Sequence, residues 1–338
     1  MKEKINFSSS VVDSLCEEKE FSGVIQIDEE NSTVYSKAFG YADIIEKRKN
    51  NMDTLFAIAS GTKFFTALGI GILIDRGLFT LDTPAKELFD LNIKTYSDKI
   101  TIRHLLSHTS GMPDYYIEED TEKLNDFEPK YPFYKLVSPK DYLVLFPKEP
   151  MKFQPGERFE YNNSGFVYLA MIIEHISGKS YKEFIEGDIF RKNGLTRSGI
   201  FPFNALRPNT AWGYIVEHDS WKSNIYKLPI QAGGDGGIYT CAGEMKRIWE
   251  YFFKNKIISA DLVNEFITPQ TAEPVENDDY YGLGLWLRPK RTYLIPYIVG
   301  SDPGISFISS YDPYKTSYTF LVSNTTDGVW NVISSIRQ

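Results

Sequence analysis

The chain is poor in the features that three common protein classes require. Its two cysteines, Cys16 and Cys241, are too few and too far apart for a disulfide framework or a four-thiolate metal site, which favours two inert thiols in a reducing compartment. Basic residues number 37 against 45 acidic ones, and the net charge of −8 disfavours nucleic acid as a partner. The longest apolar run, residues 64–74, is about half the roughly 20 residues that a membrane-spanning helix needs.

The N-terminal segment also lacks the apolar stretch of a secretory signal. Glu17 and Glu18 interrupt it before an apolar region of roughly 7 to 15 residues has formed. We therefore expect a cytoplasmic protein without a membrane span. The chain does have enough length for a substantial core, because 338 residues predict about two structural units of ordinary size.

The apolar periodicity changes twice along the chain. Residues 20–59 alternate apolar and polar side chains on either side of a turn at 29–32, which predicts an antiparallel hairpin. From about 60 to 195 the spacing becomes helical. Beyond 205 strand-like runs return, together with one helix at about 242–254. The clearest of these runs are 293–299, 305–311 and 318–322.

This order predicts an α/β protein in which an antiparallel sheet, flanked by helices, is built from both ends of the chain. A mainly helical domain is inserted between the two ends. We expect residues 1–59 and 205–338 to form the sheet domain and residues 60–204 to form the helical domain. The polar, aromatic stretch 114–139 predicts a long surface loop, and loops of that length are often functional.

Ser60 and Lys63 lie where the predicted sheet gives way to a helix. A three-residue offset places both side chains on one helix face, about a turn apart. Burial lowers the pKa of a lysine ammonium, which would let Lys63 accept the hydroxyl proton of Ser60. The first helical turn also offers unpaired N–H groups that can stabilise an oxyanion. Chance gives about one Ser-x-x-Lys pair in a chain of this length, so the spacing does not by itself identify a nucleophile.

A second candidate element is Tyr161-Asn162-Asn163, which precedes a predicted helix. Tyr161 and Asn163 can face the same cleft, where a phenolate accepts a proton and an amide holds a substrate carbonyl. The alternative is structural. In that interpretation Tyr161 is a packed aromatic residue, and Asn163 or Ser164 caps the helix.

Together with the stretches around them, these residues resemble a known family. The chain is similar to the serine β-lactamase and penicillin-binding-protein-like family, in the branch of class C β-lactamases, D-peptidases and esterases. The stretches that carry the resemblance are FAIASGTKFFTA at 56–67, TIRHLLSHTSGMPDY at 101–115, PGERFEYNNSGF at 155–166, GGIYT at 236–240, YGLGLW at 281–286 and DPGIS at 302–306. They span nearly the whole chain, and several ordered motifs are far more specific than Ser-x-x-Lys alone.

The resemblance implies a serine β-lactamase-like fold and a serine hydrolase that acts on an ester or amide through an acyl-enzyme. It makes Ser60 the nucleophile, Lys63 and Tyr161 the general bases, and Asn163 a substrate-positioning residue, in a site between the two domains. It implies no metal or organic cofactor, and the expected partner is a small-molecule ester or amide. The sequence does not indicate an oligomeric state. Aromatic residues that would line the cleft, with core packing as their alternative role, are Tyr115, Tyr116, Trp212, Tyr214 and Trp286.

The third motif of the family is where this chain departs from its relatives. Relatives carry Lys or His, any residue, and Gly on the last strand of the site, and the next N–H completes the oxyanion hole. The matching residues here are Ile298-Val299-Gly300, and Ser301 supplies the N–H. Without the cation, binding of a substrate carboxylate should weaken by about 10- to 100-fold. Ile298 therefore shifts the prediction from a true β-lactamase toward an esterase or small-amide hydrolase, and motivates a non-catalytic binding or regulatory protein as the alternative.

Other constellations are less specific. His104 and His108 have the i, i+4 spacing of a zinc pair, but Leu105 follows His104 where a Glu base is needed. The acidic residues that follow this pair are Glu118, Glu119, Asp120 and Glu122. The sequence has no Gly-x-Ser-x-Gly elbow, which argues against an α/β-hydrolase triad. The glycine-rich run 233–237 lacks the lysine of a phosphate-binding loop and predicts tight turns beside the site.

Overall fold

The structure, a computed structural model, describes residues 9–116, 124–217 and 220–336. The α-helices in these ranges are α1 (Ser9–Glu18), α2 (Thr62–Asp75), α3 (Ala85–Leu88), α4 (Ile102–Leu106), α5 (Asn163–Ser177), α6 (Tyr181–Phe184), α7 (Ala242–Phe253), α8 (Ala260–Phe266) and α9 (Gly328–Ile336). Short 3-10 turns lie at Ala59–Gly61, Leu124–Asp126, Phe133–Lys135, Pro139–Val144, Arg191–Asn193 and Phe203–Ala205, and a π-helical turn at Ile185–Phe190.

The β-strands are β1 (Gly23–Glu29), β2 (Ser32–Phe39), β3 (Tyr41–Asp43), β4 (Arg48–Lys49), β5 (Phe56–Ala57), β6 (Gly199–Ile200), β7 (Tyr214–Glu217), β8 (Ser220–Ser223), β9 (Ile238–Thr240), β10 (Tyr280–Tyr281), β11 (Trp286–Lys290), β12 (Tyr293–Asp302), β13 (Ile305–Asp312) and β14 (Ser317–Ser323). Seven of them form the main sheet, in the order β10-β11-β12-β13-β14-β1-β2. Every neighbouring pair in this sheet is antiparallel.

The sheet joins the two ends of the chain, as the sequence predicted. Strand β1 pairs with β14, and Gly23 lies opposite Ser323. The predicted hairpin is β1–β2, whose turn residues Glu30 and Asn31 have φ values of +48° and +65°. Two left-handed residues match the right-handed twist of the strands that they connect. The predicted α/β fold class, with an antiparallel sheet and flanking helices, is confirmed.

Helix α2 is apolar on all sides and therefore buried. All of its residues from Thr62 to Leu73 are buried, and it packs against α5. Gly69 permits this close packing, because a Cβ atom there would lie 2.9 Å from Cδ1 of Ile173. Lys63 is the charged residue within this buried stretch, with 2% of its surface exposed. A buried charge is stable only when hydrogen-bond acceptors replace its lost water, so the fold itself demands partners for Lys63.

Apolar side chains pack on both faces of the main sheet. Side chains on one face belong to the same apolar core as residues of α2, α5 and α7, and side chains on the other face pack with residues of α1 and α9. Cys16 and Cys241 are buried free thiols, and burial raises the pKa of Cys16 to about 12, as expected of an inert thiol. None of the helices in the described ranges is long and apolar enough to cross a membrane. The division into domains at residues 59/60 and 204/205 stays a prediction.

Candidate active site

Ser60 lies in a tight turn between β5 and α2, against the last part of β12. The residue before it, Ala59, has a φ of +45°, a left-handed conformation that strains a residue with a side chain. Gly300 of β12 approaches this turn closely. A Cβ atom at Gly300 would lie 2.1 Å from the carbonyl oxygen of Ile58 and 2.8 Å from the backbone nitrogen of Ser60. The strand can reach the Ser60 turn because position 300 has no side chain.

Lys63 meets Ser60 as its spacing predicted, and two distant segments join them. The Nζ atom of Lys63 donates to Oγ of Ser60 at 2.9 Å, to Oδ1 of Asn163 at 2.8 Å and to the carbonyl oxygen of Asp235 at 3.0 Å. These acceptors match the three protons of an ammonium group. The ring of Tyr161 lies alongside, with its centroid 4.9 Å from Nζ. The four residues predicted from the Ser-x-x-Lys and Tyr-Asn-Asn stretches are therefore adjacent.

Asp114 determines which way the Asn163 amide points. Its Oδ2 atom accepts from Nδ2 of Asn163 at 3.1 Å, which leaves Oδ1 of Asn163 directed at Lys63. Asp114 also accepts from the backbone N–H groups of Asn163 and Ser164 at 2.7 and 2.8 Å. Burial raises the pKa of Asp114, although these hydrogen bonds oppose the rise. The N-cap of α5 is Asn162, whose side chain accepts from Gly165, rather than Asn163 or Ser164.

His108 supports the segment that carries Tyr161. The two rings are in contact, with 4.3 Å between their centroids. Nδ1 of His108 accepts from the backbone N–H of Asn162 at 3.0 Å, and Nε2 lies 3.2 Å from the hydroxyl of Tyr281. Burial lowers the pKa of His108 well below its ordinary value, and the charge of Lys63 adds to this effect. The imidazole is thus neutral and carries its proton on Nε2.

The zinc interpretation finds no support in the described residues. Helix α4 ends at Leu106, and His108 follows it with a φ of +57°, so the two histidines do not share a helix face. His104 instead uses Nδ1 to accept from the backbone of Thr101. Within the described ranges, no group of three His, Cys, Asp or Glu side chains could hold a metal ion. The acidic residues named with this pair, Glu118, Glu119, Asp120 and Glu122, lie outside the described residues.

Ser60 opens onto a cleft of about 730 Å³, a volume that includes space open to solvent. This size is typical of a small-molecule site. Seven of the residues that line the cleft are aromatic, namely Tyr115, Tyr116, Phe133, Tyr142, Phe201, Phe203 and Tyr239. Charged side chains among the described wall residues are Lys227, Asp235 and Asp302. Of the aromatic residues predicted for the cleft, Tyr115 and Tyr116 line it, whereas Trp286 stacks on the ring of Tyr161.

Trp212 and Tyr214 do not belong to the cleft wall. The backbone N–H of Trp212 donates to Ala42, and the hydroxyl of Tyr214 accepts from the backbone N–H of Ile44. The sequence pattern predicts tight turns at 233–237 but did not identify Asp235 as a site residue. The turns are present, since Gly234 and Gly237 have φ values of +113° and +99°. They direct the carbonyl oxygen of Asp235 to Lys63 and place the residue in the cleft wall.

The third motif contributes to the site differently from the other two. Ile298, Gly300 and Asp302 share one face of β12, since side chains alternate along a strand. Ile298 is 2% exposed and belongs to the apolar core rather than to the cleft wall. Asp302 reaches the wall instead, a position that alternation from Gly300 would have indicated. Ser301 follows Gly300 next to the Ser60 turn, and its part in an oxyanion hole stays a prediction.

A serine at the head of a buried helix, a lysine one turn later and an antiparallel sheet alongside define a serine hydrolase of the β-lactamase-like class. Residues 12–330 match the family described as Beta-lactamase, and the chain belongs to this family. It is 28% identical to Penicillin-binding protein 4* of Bacillus subtilis (strain 168), over 94% of this chain and 71% of that protein.

Solved structures show the same fold. A penicillin-binding protein from Bacillus halodurans is 35% identical, with a TM-score of 0.87 over 96% of this chain and 98% of the other. A D-stereospecific amidohydrolase from Streptomyces sp. is 20% identical, with a TM-score of 0.80 over 97% and 98% of the two chains. The second likeness concerns the fold alone.

Proposed function

We propose that the protein hydrolyses a small ester or amide through an acyl-enzyme formed on Ser60. The observation that carries the proposal is the 2.9 Å hydrogen bond between Nζ of Lys63 and Oγ of Ser60. Lys63 is buried, whereas Ser60 is partly exposed and lines the cleft. The hydroxyl is therefore accessible to a substrate while the base beneath it is shielded from water.

Acylation needs the neutral amine of Lys63, which accepts the hydroxyl proton as Oγ of Ser60 bonds to the substrate carbonyl carbon. The N–H groups of Ser60 and Ser301 hold the resulting oxyanion. The bond to the leaving alcohol or amine then breaks, and the leaving group takes up the proton by way of Lys63 and Tyr161. Asn163, which Asp114 and Lys63 hold in one orientation, positions the substrate.

Deacylation runs through the same groups in the other direction. A water molecule loses a proton to the Lys63–Tyr161 pair as its oxygen bonds to the acyl carbon. The ester bond to Ser60 breaks, Oγ regains a proton, and a carboxylic acid leaves. Each turnover thus consumes one water molecule and restores the starting protonation of the site.

An ester or simple amide fits this site better than a β-lactam or a D-Ala-D-Ala peptide. Those substrates carry a carboxylate. Relatives offer that carboxylate a cation at the position of Ile298, whereas Ile298 is an apolar side chain buried in the core. We expect kcat/KM for a short-chain p-nitrophenyl ester to exceed that for nitrocefin by at least about 10-fold, the effect of one charge-assisted hydrogen bond. Equal rates with the two substrates would contradict this choice of substrate class.

Labelling with a fluorophosphonate probe tests the nucleophile. Mass spectrometry should find one adduct, on the peptide that contains Ser60, and the Ser60→Ala variant should lose both the adduct and the esterase activity. Ser259 is an exposed serine at the start of α8 and makes no capping hydrogen bond with its side chain. Ser259→Ala is therefore the matched control and should label like the parent. A parent protein that remains unmodified would support a non-catalytic binding protein.

A further inference from the structure

Resting on this proposed function, we infer that the cleft selects acyl groups that carry a positively charged ammonium group. The carboxylates of Asp302 and Asp235, on the cleft wall beside Ser60, would bind it. Penicillin-type substrates present a carboxylate to such enzymes, so the inferred preference has the opposite sign of charge. Four observations lead to it.

The first is the position of Asp302. The point where a Cβ atom of Gly236 would lie is 3.9 Å from Oδ2 of Asp302 and 3.9 Å from the carbonyl oxygen of Ala59. Oδ2 of Asp302 and the carbonyl oxygen of Ala59 are therefore less than twice 3.9 Å apart. Ala59 is the residue that precedes the nucleophile. Because Gly236 has no side chain, the space between them stays open to the cleft. An acyl chain attached to Ser60 can enter this space.

The second is how firmly Asp235 is held. Its carbonyl oxygen accepts from Lys63 at 3.0 Å, and its Oδ2 accepts from the hydroxyl of Tyr115 at 2.5 Å. Asp235 is 9% exposed, and burial raises its pKa, an effect that the charge of Lys63 opposes. A cationic group in the cleft would favour the charged carboxylate in the same way. The side chain is thus fixed in place before any ligand arrives.

The third is that two lysines at the cleft, among the residues that the structure describes, are engaged with acceptors of the protein itself. Nζ of Lys227 donates to the carbonyl oxygen of Phe127 at 2.7 Å and forms a salt bridge with Glu128. Lys227 lowers the pKa of Glu128, which keeps the pair ionised. Lys63 lies beneath the serine and donates to three acceptors. Neither of these two lysines therefore presents an unengaged charge to a ligand carboxylate.

The fourth is the aromatic wall. Tyr115, Tyr116 and Phe133 line the same cleft as the two aspartates. The faces of aromatic rings carry partial negative charge and attract ammonium groups. Rings and carboxylates together make this wall suited to a cation with a short hydrocarbon chain, since the chain contacts the rings and the charge reaches the carboxylates.

Matched esters test the inference. We would measure kcat/KM for p-nitrophenyl esters of linear acids that end in a methyl, an ammonium or a carboxylate group, at three, four and six carbons. The parent should prefer the ammonium ester over the methyl ester by about 10-fold at one or more of these lengths, and the carboxylate ester should be the poorest substrate.

The ratio of ammonium to methyl ester is the decisive quantity. It should fall by about 10-fold in Asp302→Asn, which keeps the shape of the side chain but not its charge. Glu273→Gln removes an exposed charge outside the cleft wall and should leave the ratio at the parent value. A parent that hydrolyses methyl esters without preferring the ammonium ester at any length would overturn this inference and leave the proposed function standing. A parent that hydrolyses no ester or amide and takes no fluorophosphonate label would overturn the proposed function itself.

Discussion

The imidazole of His108 lies against the phenol ring of Tyr161, with 4.3 Å between the ring centroids and 35° between the planes. His108 also binds the backbone on both sides of this tyrosine. Its carbonyl oxygen accepts from the N–H of Glu160 at 2.9 Å, and its Nδ1 accepts from the N–H of Asn162 at 3.0 Å. His108 is therefore a positioning residue for Tyr161, acting through the ring and through two hydrogen bonds.

Replacement of His108 should lower activity through Tyr161. His108→Asn suits the test, because asparagine tolerates the left-handed backbone found here, with φ at +57°. We expect kcat/KM for a p-nitrophenyl ester to fall by at least about 10-fold, since general-base catalysis contributes roughly 100- to 10,000-fold and depends on geometry. His175→Asn, at an exposed position of α5, is the control and should keep the parent rate. Equal rates in the parent and His108→Asn would rule out a positioning role.

The same histidine should make the protein sensitive to acid. The folded state keeps His108 neutral because burial lowers its pKa, whereas the unfolded chain takes up a proton below about pH 6.5. Below that pH the unfolded state binds more protons, so the free energy of unfolding falls as the pH falls. Between pH 7.5 and 5.5 the parent should lose about 1.4 kcal/mol more than His108→Asn in urea unfolding. His104, whose pKa burial also lowers, is present in both proteins and cancels from the difference.

Lys63 should be needed as a base and not only as a charge. Lys63→Arg keeps the positive charge, but a guanidinium group does not give up its proton at ordinary pH. We expect it to lower kcat/KM for the ester by at least about 100-fold, as Lys63→Met should. Lys192→Arg, on the exposed surface, provides the control. Near-parent activity in Lys63→Arg over pH 6 to 9 would show that Lys63 accepts no proton in the rate-determining step.

Asp114 should matter for both stability and turnover. Asp114→Ala would leave the buried N–H groups of Asn163 and Ser164 without their acceptor and free the Asn163 amide to rotate. We expect a loss of about 2 to 4 kcal/mol in urea unfolding, because unsatisfied buried donors cost about 1 to 3 kcal/mol each. Among variants that stay folded at low temperature, Asp114→Asn should retain more activity than Asp114→Ala. Unchanged stability in both would mean that other groups cap this helix.

Gly300 should tolerate no side chain. Gly300→Ala places a Cβ atom 2.1 Å from the carbonyl oxygen of Ile58, so β12 and the Ser60 turn must separate. We expect a fall in melting temperature and at least about a 10-fold loss of fluorophosphonate labelling rate, because the oxyanion donors move apart. Gly243→Ala in α7 adds a methyl group that meets nothing within 4 Å and should keep the parent rate. Equal labelling rates in the two variants would contradict the close packing described here.

Local spacing was enough to predict several parts of this protein. The offset between Ser60 and Lys63 puts them one helical turn apart whatever surrounds them, since helix geometry depends on the backbone alone. Strand-like runs predicted β12, β13 and β14, and the turn residues Glu30 and Asn31 mark the β1–β2 hairpin. Motifs spread over the whole chain indicated the family, which the match over residues 12–330 confirmed.

The tertiary structure decided everything that joins distant segments. Lys63 bonds to Asn163, 100 residues away, and to Asp235, 172 residues away, and these contacts arise only when helices, turns and sheet pack together. Packing also placed Ile298 in the core and Asp302 in the cleft wall, although both lie on one face of one strand. A sequence period specifies which face a side chain occupies. The neighbouring elements determine whether that part of the face is buried or borders the cleft, and hence which side chain faces the cleft.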